Sequence, residues 1–123
     1  MILRGDFYTI NKLDVQDTTV NAELELNAEH RIYKGHFPGQ PITPGVCMMQ
    51  MIKEIIETVM EKETMLVRAD DMKFLRMIIP GDNNIINAQL KYLIDENGTI
   101  MVTASLTKEE ALHFRFKGSF RPL

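Results

Sequence analysis

Residues 44–61 read PGVCMMQMIKEIIETVME, and this stretch decides the fold. Apolar side chains recur through it at helical spacing, and a proline is well tolerated at the beginning of a helix. The first two turns are apolar on almost every side, so we expect this end of the helix to be buried. We predict Thr43 as the N-cap and an end near residues 62–64.

A narrow polar stripe runs along the same helix. It consists of Gln50, Glu54, Glu57 and Glu61, at intervals of four, three and four positions. Residues three and four positions apart lie on one face of a helix. We therefore expect these four polar side chains to share one face of the helix, with the apolar side chains on its other faces.

Strand patterns lie on both sides of the helix. Residues 18–27 alternate between apolar and polar, as a half-buried strand does, and residues 7–13 are its predicted partner. Further strands are predicted at 65–77 (one long or bulged strand), 86–94, 100–107 and 112–117. Because nothing else can cover the apolar helix, this order predicts an α+β domain over residues 1–123. An antiparallel sheet of five to seven strands would wrap around one central helix.

Composition narrows the function classes. The chain has 123 residues, of which 45% are hydrophobic, and its formal net charge is −3, so it lacks the basic character of a nucleic-acid-binding domain. No window approaches the roughly 20 apolar residues of a membrane helix. The single cysteine, Cys47, excludes an internal disulfide, and we expect a buried core thiol in a cytoplasmic protein. No cluster has metal-ligand spacing, so we predict no metal and no cofactor.

Residues 31–45 contain three prolines and three glycines and show no periodicity, so we predict a structured loop that runs into the helix. The chemistry is predicted in residues 35–46, GHFPGQPITPGV. A helix N-terminus presents N–H groups without intrahelical partners and can polarise a carbonyl oxygen. A histidine beside it, here His36, can move a proton near neutral pH. Together these groups suit an enolate-like intermediate formed from a thioester.

This segment resembles the active-site loop of the 3-hydroxyacyl-[acyl carrier protein] dehydratases, Gly-His-Phe-Pro-Gly-x-Pro-x-x-Pro-Gly-Val. Residues 73–82, KFLRMIIPGD, are similar to a later family stretch, with Met77 in place of a proline. The resemblance implies a hotdog fold and dimers whose sheets join edge to edge, often assembled as trimers of dimers. Each active site would lie at the subunit interface and use a histidine from one subunit and a helix carboxylate from the other.

Carried over, the resemblance implies that His36 is the catalytic base and that the Gly45 N–H binds the thioester carbonyl. The family's carboxylate lies 14 positions after the histidine, where this chain has Gln50. An amide does not titrate in water, so Gln50 cannot act as an acid. The family's glutamine, four positions later, is replaced by Glu54. Glu54 either serves as the acid from one turn away, or it belongs to a solvated stripe with Glu57 and Glu61.

The leading interpretation is dehydration of a (3R)-3-hydroxyacyl thioester on acyl carrier protein to the trans-2-enoyl thioester, in fatty acid or related acyl-chain biosynthesis. His36, Gln50 and Glu54 are the catalytic candidates. Alternatives are a catalytically weak acyl-binding paralogue, which would pair with an active homologue, and a hotdog thioesterase.

Further residues are expected to bind the substrate and its carrier. Gly45, Phe37, Val46 and Met49 are predicted to contact the substrate. Exposed cations at Lys34, Lys73 and Arg76 are predicted to dock the acidic carrier protein. We interpret His30 as a surface or turn histidine and His113 as solvent-facing.

Overall fold

The computed structural model describes residues 2–35 and 41–123. Its elements in chain order are β1 (Tyr8–Gln16), β2 (Thr19–Leu26), α1 (Arg31–Gly35), α2 (Gly45–Met60), β3 (Thr64–Phe74), β4 (Ile85–Ile94), β5 (Ile100–Lys108) and β6 (Ala111–Pro122).

The six strands form one sheet in the order β1-β2-β4-β5-β6-β3, and every neighbouring pair is antiparallel. The predicted α+β arrangement is thereby confirmed. Consecutive strands β4, β5 and β6 pair as hairpins, whereas β3 reaches its place at the edge beside β6. Among the strands of the described chain, the edge strands β1 and β3 each pair with one other strand, and β1 has in addition an isolated bridge from Arg4 to Tyr8.

One apolar core joins the inner face of the sheet to α2. Alternate positions of the central strands are buried, as the period-2 patterns predicted. The fully buried side chains of α2 meet them, and they are Met51, Ile52, Ile55 and Ile56. Burying such side chains stabilises the fold by about 1.5–3 kcal/mol each. The helix therefore holds its place because the sheet covers its apolar faces.

Three local predictions were wrong. Residues 31–35, expected to be loop, form the short helix α1, which is too short to show a helical repeat in the sequence. The N-cap of α2 is Pro44 in an extended conformation, with no side-chain cap. The hydroxyl of Thr43 instead lies 2.9 Å from the hydroxyl of Tyr33. At the start of α2, Val46 is 66% exposed, although we expected this turn to be buried.

Strand β3 is bulged, which is one of the two forms that its sequence pattern allowed. Its register against β6 shifts between Leu66 and Arg68 and again between Ala69 and Asp71. At this place β6 carries Gly118, and a Cβ there would overlap the Arg68 carbonyl oxygen. Glycine is required because the bulged backbone of β3 occupies the space of a side chain.

We therefore expect Gly118→Ala to lower the free energy of unfolding by about 1–3 kcal/mol, the usual cost of overpacking. Urea denaturation measures it. Gly81→Ala is the matched control, because a Cβ at Gly81 would meet nothing within 4 Å. Equal stability of the two variants would contradict the close approach of the two strands.

Candidate active site

The N-terminus of α2 has no side-chain cap among the described residues. Gly45 begins the helix, so its N–H has no carbonyl four residues earlier within the helix. A Cβ at Gly45 would lie 2.8 Å from Cε1 and Cζ of Phe74. The absence of a side chain therefore lets the Phe74 ring lie against the helix start, where it also stacks on Phe114 at 4.9 Å between ring centroids.

A largely apolar cleft of about 520 Å³ opens beside this helix start. Gly45, Met48 and Phe74 line it, together with Leu75 and Met77. Such a cleft, with one helix N-terminus at its wall, can hold an apolar chain while N–H groups meet a carbonyl oxygen.

Arg76 is the single charged residue among the described residues that line this cleft. Lys73, predicted to act with it, is exposed and lies opposite Arg115 in the β3–β6 register. Neighbouring Phe74 lies opposite the buried Phe114, so Lys73 and Phe74 point to opposite faces of the sheet. Of these two cations, Arg76 alone borders the cleft.

The predicted residues His36 and Phe37 lie outside the described residues. The chain on both sides of them is described and is joined by the Tyr33–Thr43 hydroxyl contact. Tyr33 and Thr43 are both buried. Burial raises the pKa of Tyr33 to about 12. Tyr33 also stacks on Phe7 at 5.4 Å between centroids. The two ends of the loop that carries His36 are thus held together.

Glu54 does not belong to a solvated stripe. It is only 5% exposed, and its carboxylate accepts four hydrogen bonds. Oε1 accepts from the Arg4 N–H at 2.8 Å and the Tyr8 hydroxyl at 2.9 Å. Oε2 accepts from the Leu3 N–H and from Nε2 of Gln50, both at 2.8 Å. A carboxylate can be buried where donors satisfy it in this way, whereas an unpaired one costs several kcal/mol.

The same contacts decide whether Glu54 serves as the acid. All four neighbouring groups donate, so a proton on either oxygen would point at a donor. Burial and the adjacent carboxylate raise the pKa of the Tyr8 phenol, so that it remains a donor. In this arrangement Glu54 anchors its neighbours and is not poised to protonate a leaving group.

The sequence pattern did not indicate the residues that hold Glu54. Leu3, Arg4 and Tyr8 are about 50 positions away in the chain, and the segment before β1 carries no motif. Arg4 adds a bond from its guanidinium to the Thr58 hydroxyl at 3.0 Å. The N-terminal segment therefore packs along the polar side of α2.

Gln50 and Gly45 face different clefts of the described chain. Gln50, half-buried, lines a groove of about 590 Å³ with Arg4, Lys53 and Glu54. Gly45 lines the cleft beside Phe74. The other predicted substrate residues, Val46 and Met49, line neither of these two spaces.

The remaining candidate residues, Cys47, His30 and His113, are buried in the fold. Cys47 is buried as predicted, and burial raises the pKa of its thiol, which makes it a poor nucleophile. His30 and His113 are buried rather than exposed. His30 accepts the Ile32 N–H on Nδ1 and contacts Asp6 through Nε2 at 3.0 Å.

Within residues 2–35 and 41–123, no three histidine, cysteine or acidic side chains come together as metal ligands. No helix of this part of the chain is long and apolar enough to cross a membrane.

A family model described as ApeI-like, ApeI dehydratase, matches residues 12–108. The chain belongs to the ApeI-like dehydratase family. It is 27% identical over 104 residues to the 3-hydroxyacyl-[acyl-carrier-protein] dehydratase FabZ of Oenococcus oeni, covering 79% of this chain and 75% of that protein.

Solved structures share the hotdog fold. The dehydratase heterocomplex ApeI:P from Xenorhabdus doucetiae superposes with a TM-score of 0.67 at 19% identity, covering 91% of this chain and 96% of that one. Cj0977, a sigma28-regulated virulence protein of Campylobacter jejuni, superposes with a TM-score of 0.69 at 12% identity over 91% and 82% of the two chains. The fold therefore occurs in proteins of different roles, and function has to be argued from the site.

Proposed function

We propose that this ApeI-like dehydratase converts a (3R)-3-hydroxyacyl thioester on acyl carrier protein into the trans-2-enoyl thioester, in the cytoplasm, for fatty acid or related acyl-chain synthesis. The observation that carries the proposal is the N-terminus of α2 at Gly45, which has no side-chain cap among the described residues and borders an apolar cleft. It follows directly after the loop that contains His36. The thioester carbonyl would accept from the Gly45 N–H, which stabilises the charge that develops on this oxygen.

His36 is the proposed base. It takes the proton from C2, the electron pair forms the C2–C3 double bond, and the C3–O bond breaks. Because Glu54 is occupied and Gln50 does not titrate, we propose that the proton reaches the departing oxygen from the His36 imidazolium, directly or through a water bound to Gln50. The products are the enoyl thioester and water, so the reaction balances without a second acid.

The proposed assembly is a dimer joined through β3. This edge strand leaves backbone groups without a neighbour on one side and exposes apolar side chains, among them Val67 at 50% and Phe74 at 52%. An exposed apolar edge strand can pair with the edge strand of a second chain. A second copy would also bring its own α2 near the first, which suits a site whose Gly45 and Gln50 face different clefts in one chain.

A second candidate is a weakly active paralogue paired with an active homologue. Gln50 favours it, because an amide replaces the proton-transferring group that the resemblance implies. The similar solved structure from Xenorhabdus doucetiae is itself a heterocomplex. Incubation with 3-hydroxyacyl-acyl carrier protein separates the candidates: enoyl product indicates the dehydratase, free acid the thioesterase, and no product the paralogue.

Light scattering at micromolar concentration is expected to give a dimer or a multiple of it. Val67→Lys places a charge on the exposed edge strand and should shift the protein toward monomer. Val15→Lys is the matched control, because Val15 is a 42% exposed residue on the opposite edge strand β1. A wild-type monomer would refute the shared site, and dissociation by Val15→Lys alone would move the interface to β1.

His36→Ala is expected to lower kcat by about 10²–10⁴, the usual contribution of a general base, with an unchanged melting temperature. His113→Asn, which removes a histidine from β6, is the control and should keep its activity. Wild-type kcat/KM should rise with pH and then level off, because the unprotonated base is required. Retention of activity without the imidazole would disprove the assignment.

Exchange of the amide and the carboxylate tests the roles of Gln50 and Glu54. Gln50→Glu alone puts a second carboxyl group against Glu54 Oε2, where Nε2 now lies at 2.8 Å. Two such carboxyls share a proton, so this variant should be destabilised at neutral pH and regain stability as the pH falls.

The double exchange, Gln50→Glu with Glu54→Gln, removes this repulsion, since the new amide can donate to the new carboxyl group. It should unfold at a higher urea concentration than Gln50→Glu and show higher turnover than wild type, with a loss of activity at alkaline pH as the new acid ionises. Should neither variant differ from wild type in turnover, neither position takes part in the chemistry.

Docking of the carrier protein is proposed at Arg76, the cation at the cleft. Arg76→Glu should slow association with acyl carrier protein and weaken its dependence on salt, because like charges repel. Lys73→Glu makes the same change of charge at a residue that does not line the cleft, and it is the matched control. Equal on-rates for both variants at low salt would reject this docking site.

A further inference from the structure

A groove of about 670 Å³ lies on the outer face of the sheet, which is the face directed away from α2. We call it the outer groove. Strands β4, β5 and β6 form most of it, and its lining includes Lys91, Leu93, Met101, Thr103 and Lys117. These strands lie inside the sheet, so edge-to-edge pairing through β3 does not use them.

Two lysines flank a threonine across the outer groove. Lys91 of β4 pairs in register with Thr103 of β5, and Thr103 pairs in register with Lys117 of β6. Neighbouring strands are about 4.8 Å apart, so the two lysines project from the same face about 10 Å apart, with the threonine hydroxyl between them. Their flexible stems can bring both ammonium groups to one ion above the threonine.

The charge of these two lysines is not neutralised within the described part of the chain. Asp70 lines the groove but pairs with Arg68. Asp71 lies opposite Lys117 in the β3–β6 register but pairs with Arg115 at 3.1 Å. Neither lysine forms an ion pair with a described residue. Two ammonium groups facing one groove repel each other, and an anion between them would remove this repulsion.

An apolar patch borders the lysines. Leu93 of β4 and Met101 of β5 lie directly opposite each other, and they are 60% and 45% exposed. The other outward positions from 87 to 91 and from 103 to 107 are polar, namely Asn87, Gln89, Lys91, Thr103, Ser105 and Thr107. The patch is one outward position from the row of cations, so the groove has a charged end and an apolar end.

We propose that the outer groove binds an amphipathic phosphate monoester, with its phosphate between Lys91 and Lys117 and its apolar chain on Leu93 and Met101. The hydroxyl of Thr103 donates to the phosphate. A phosphate monoester carries about −1.5 to −2 charges at neutral pH and matches two ammonium groups, whereas a carboxylate supplies one charge. A second copy of the same face is a poorer occupant, because two-fold pairing would bring like charges together.

Isothermal titration calorimetry with octyl phosphate, at concentrations where it is monomeric, tests the binding. We expect one saturable site per chain, with a Kd at least about tenfold lower than that of inorganic phosphate, because the octyl chain covers the apolar patch. Octanoate should bind more weakly than octyl phosphate. Equal affinity for inorganic phosphate would remove the role of the patch, equal affinity for octanoate would remove the role of the second charge, and either result would overturn the proposal.

Substitutions in the outer groove test its residues. Lys91→Ala and Lys117→Ala should each raise the Kd of octyl phosphate about tenfold, as the loss of a charge-assisted hydrogen bond does. Leu93→Ser should weaken the binding of octyl phosphate and leave that of inorganic phosphate unchanged. Lys12→Ala is the matched control, because Lys12 is an exposed lysine of β1 outside the groove. An equal loss of affinity in Lys12→Ala would show attraction by overall charge and no site.

Methyl NMR of the methionines locates the ligand. Met101 lines the outer groove, whereas Met77 lines the active-site cleft. Octyl phosphate should shift the methyl signal of Met101, and Lys117→Ala should remove this shift. A shift at Met77 with none at Met101 would place the ligand in the cleft and overturn the proposal.

Two other occupants of the outer groove are tested with the same proteins. Co-sedimentation with phosphatidylglycerol vesicles, without saturable binding of monomeric octyl phosphate, would make this face a membrane-binding surface. A change of oligomeric state in Lys117→Ala, measured by light scattering, would make it a contact between copies of the chain. Either outcome would replace the proposed ligand, whereas octyl phosphate binding with an unchanged oligomeric state supports it.

Discussion

The buried carboxylate of Glu54 is the interaction on which the arrangement of this site depends. It lies on α2 and binds the N-terminal segment through two backbone N–H groups, β1 through the Tyr8 hydroxyl, and the next turn of its own helix through Gln50. A charge in an otherwise apolar interior is tolerated only where donors surround it. Because the carboxylate needs these donors, the beginning of the chain packs against the central helix.

The same N-terminal segment also contacts the residues on either side of the loop that carries His36. Once the N-terminal segment is held, Phe7 packs on Tyr33 and His30, and Tyr33 contacts Thr43 just before α2 begins. These contacts brace the chain on both sides of the loop. The polar interior and the rigid frame of the site thus have a common origin, and the apolar core supplies the remainder of the stability.

Chemistry in this chain is proposed to depend on hydrogen-bond geometry more than on a second titrating group. Gln50 offers no proton, and Glu54 accepts from every side. What remains is a histidine and a helix N-terminus at Gly45. Such a site performs proton transfer with one group and uses the other to place the substrate, which is a division of roles that positioned hydrogen bonds permit.

The sequence by itself determined the α+β architecture, the buried helix and the dehydratase family. Each of these rests on local periodicity or on a contiguous motif, such as the apolar repeat of residues 44–61. The tertiary structure alone decided the place of Glu54, for which the sequence pattern left open an acid one turn from Gln50 or a member of a solvated stripe with Glu57. Its partners Leu3 and Tyr8 lie about 50 positions away, and no local pattern records which distant backbone groups will face a side chain. Whether a charged side chain can be buried depends on donors from distant parts of the chain. These donors are brought to it only by the folded structure.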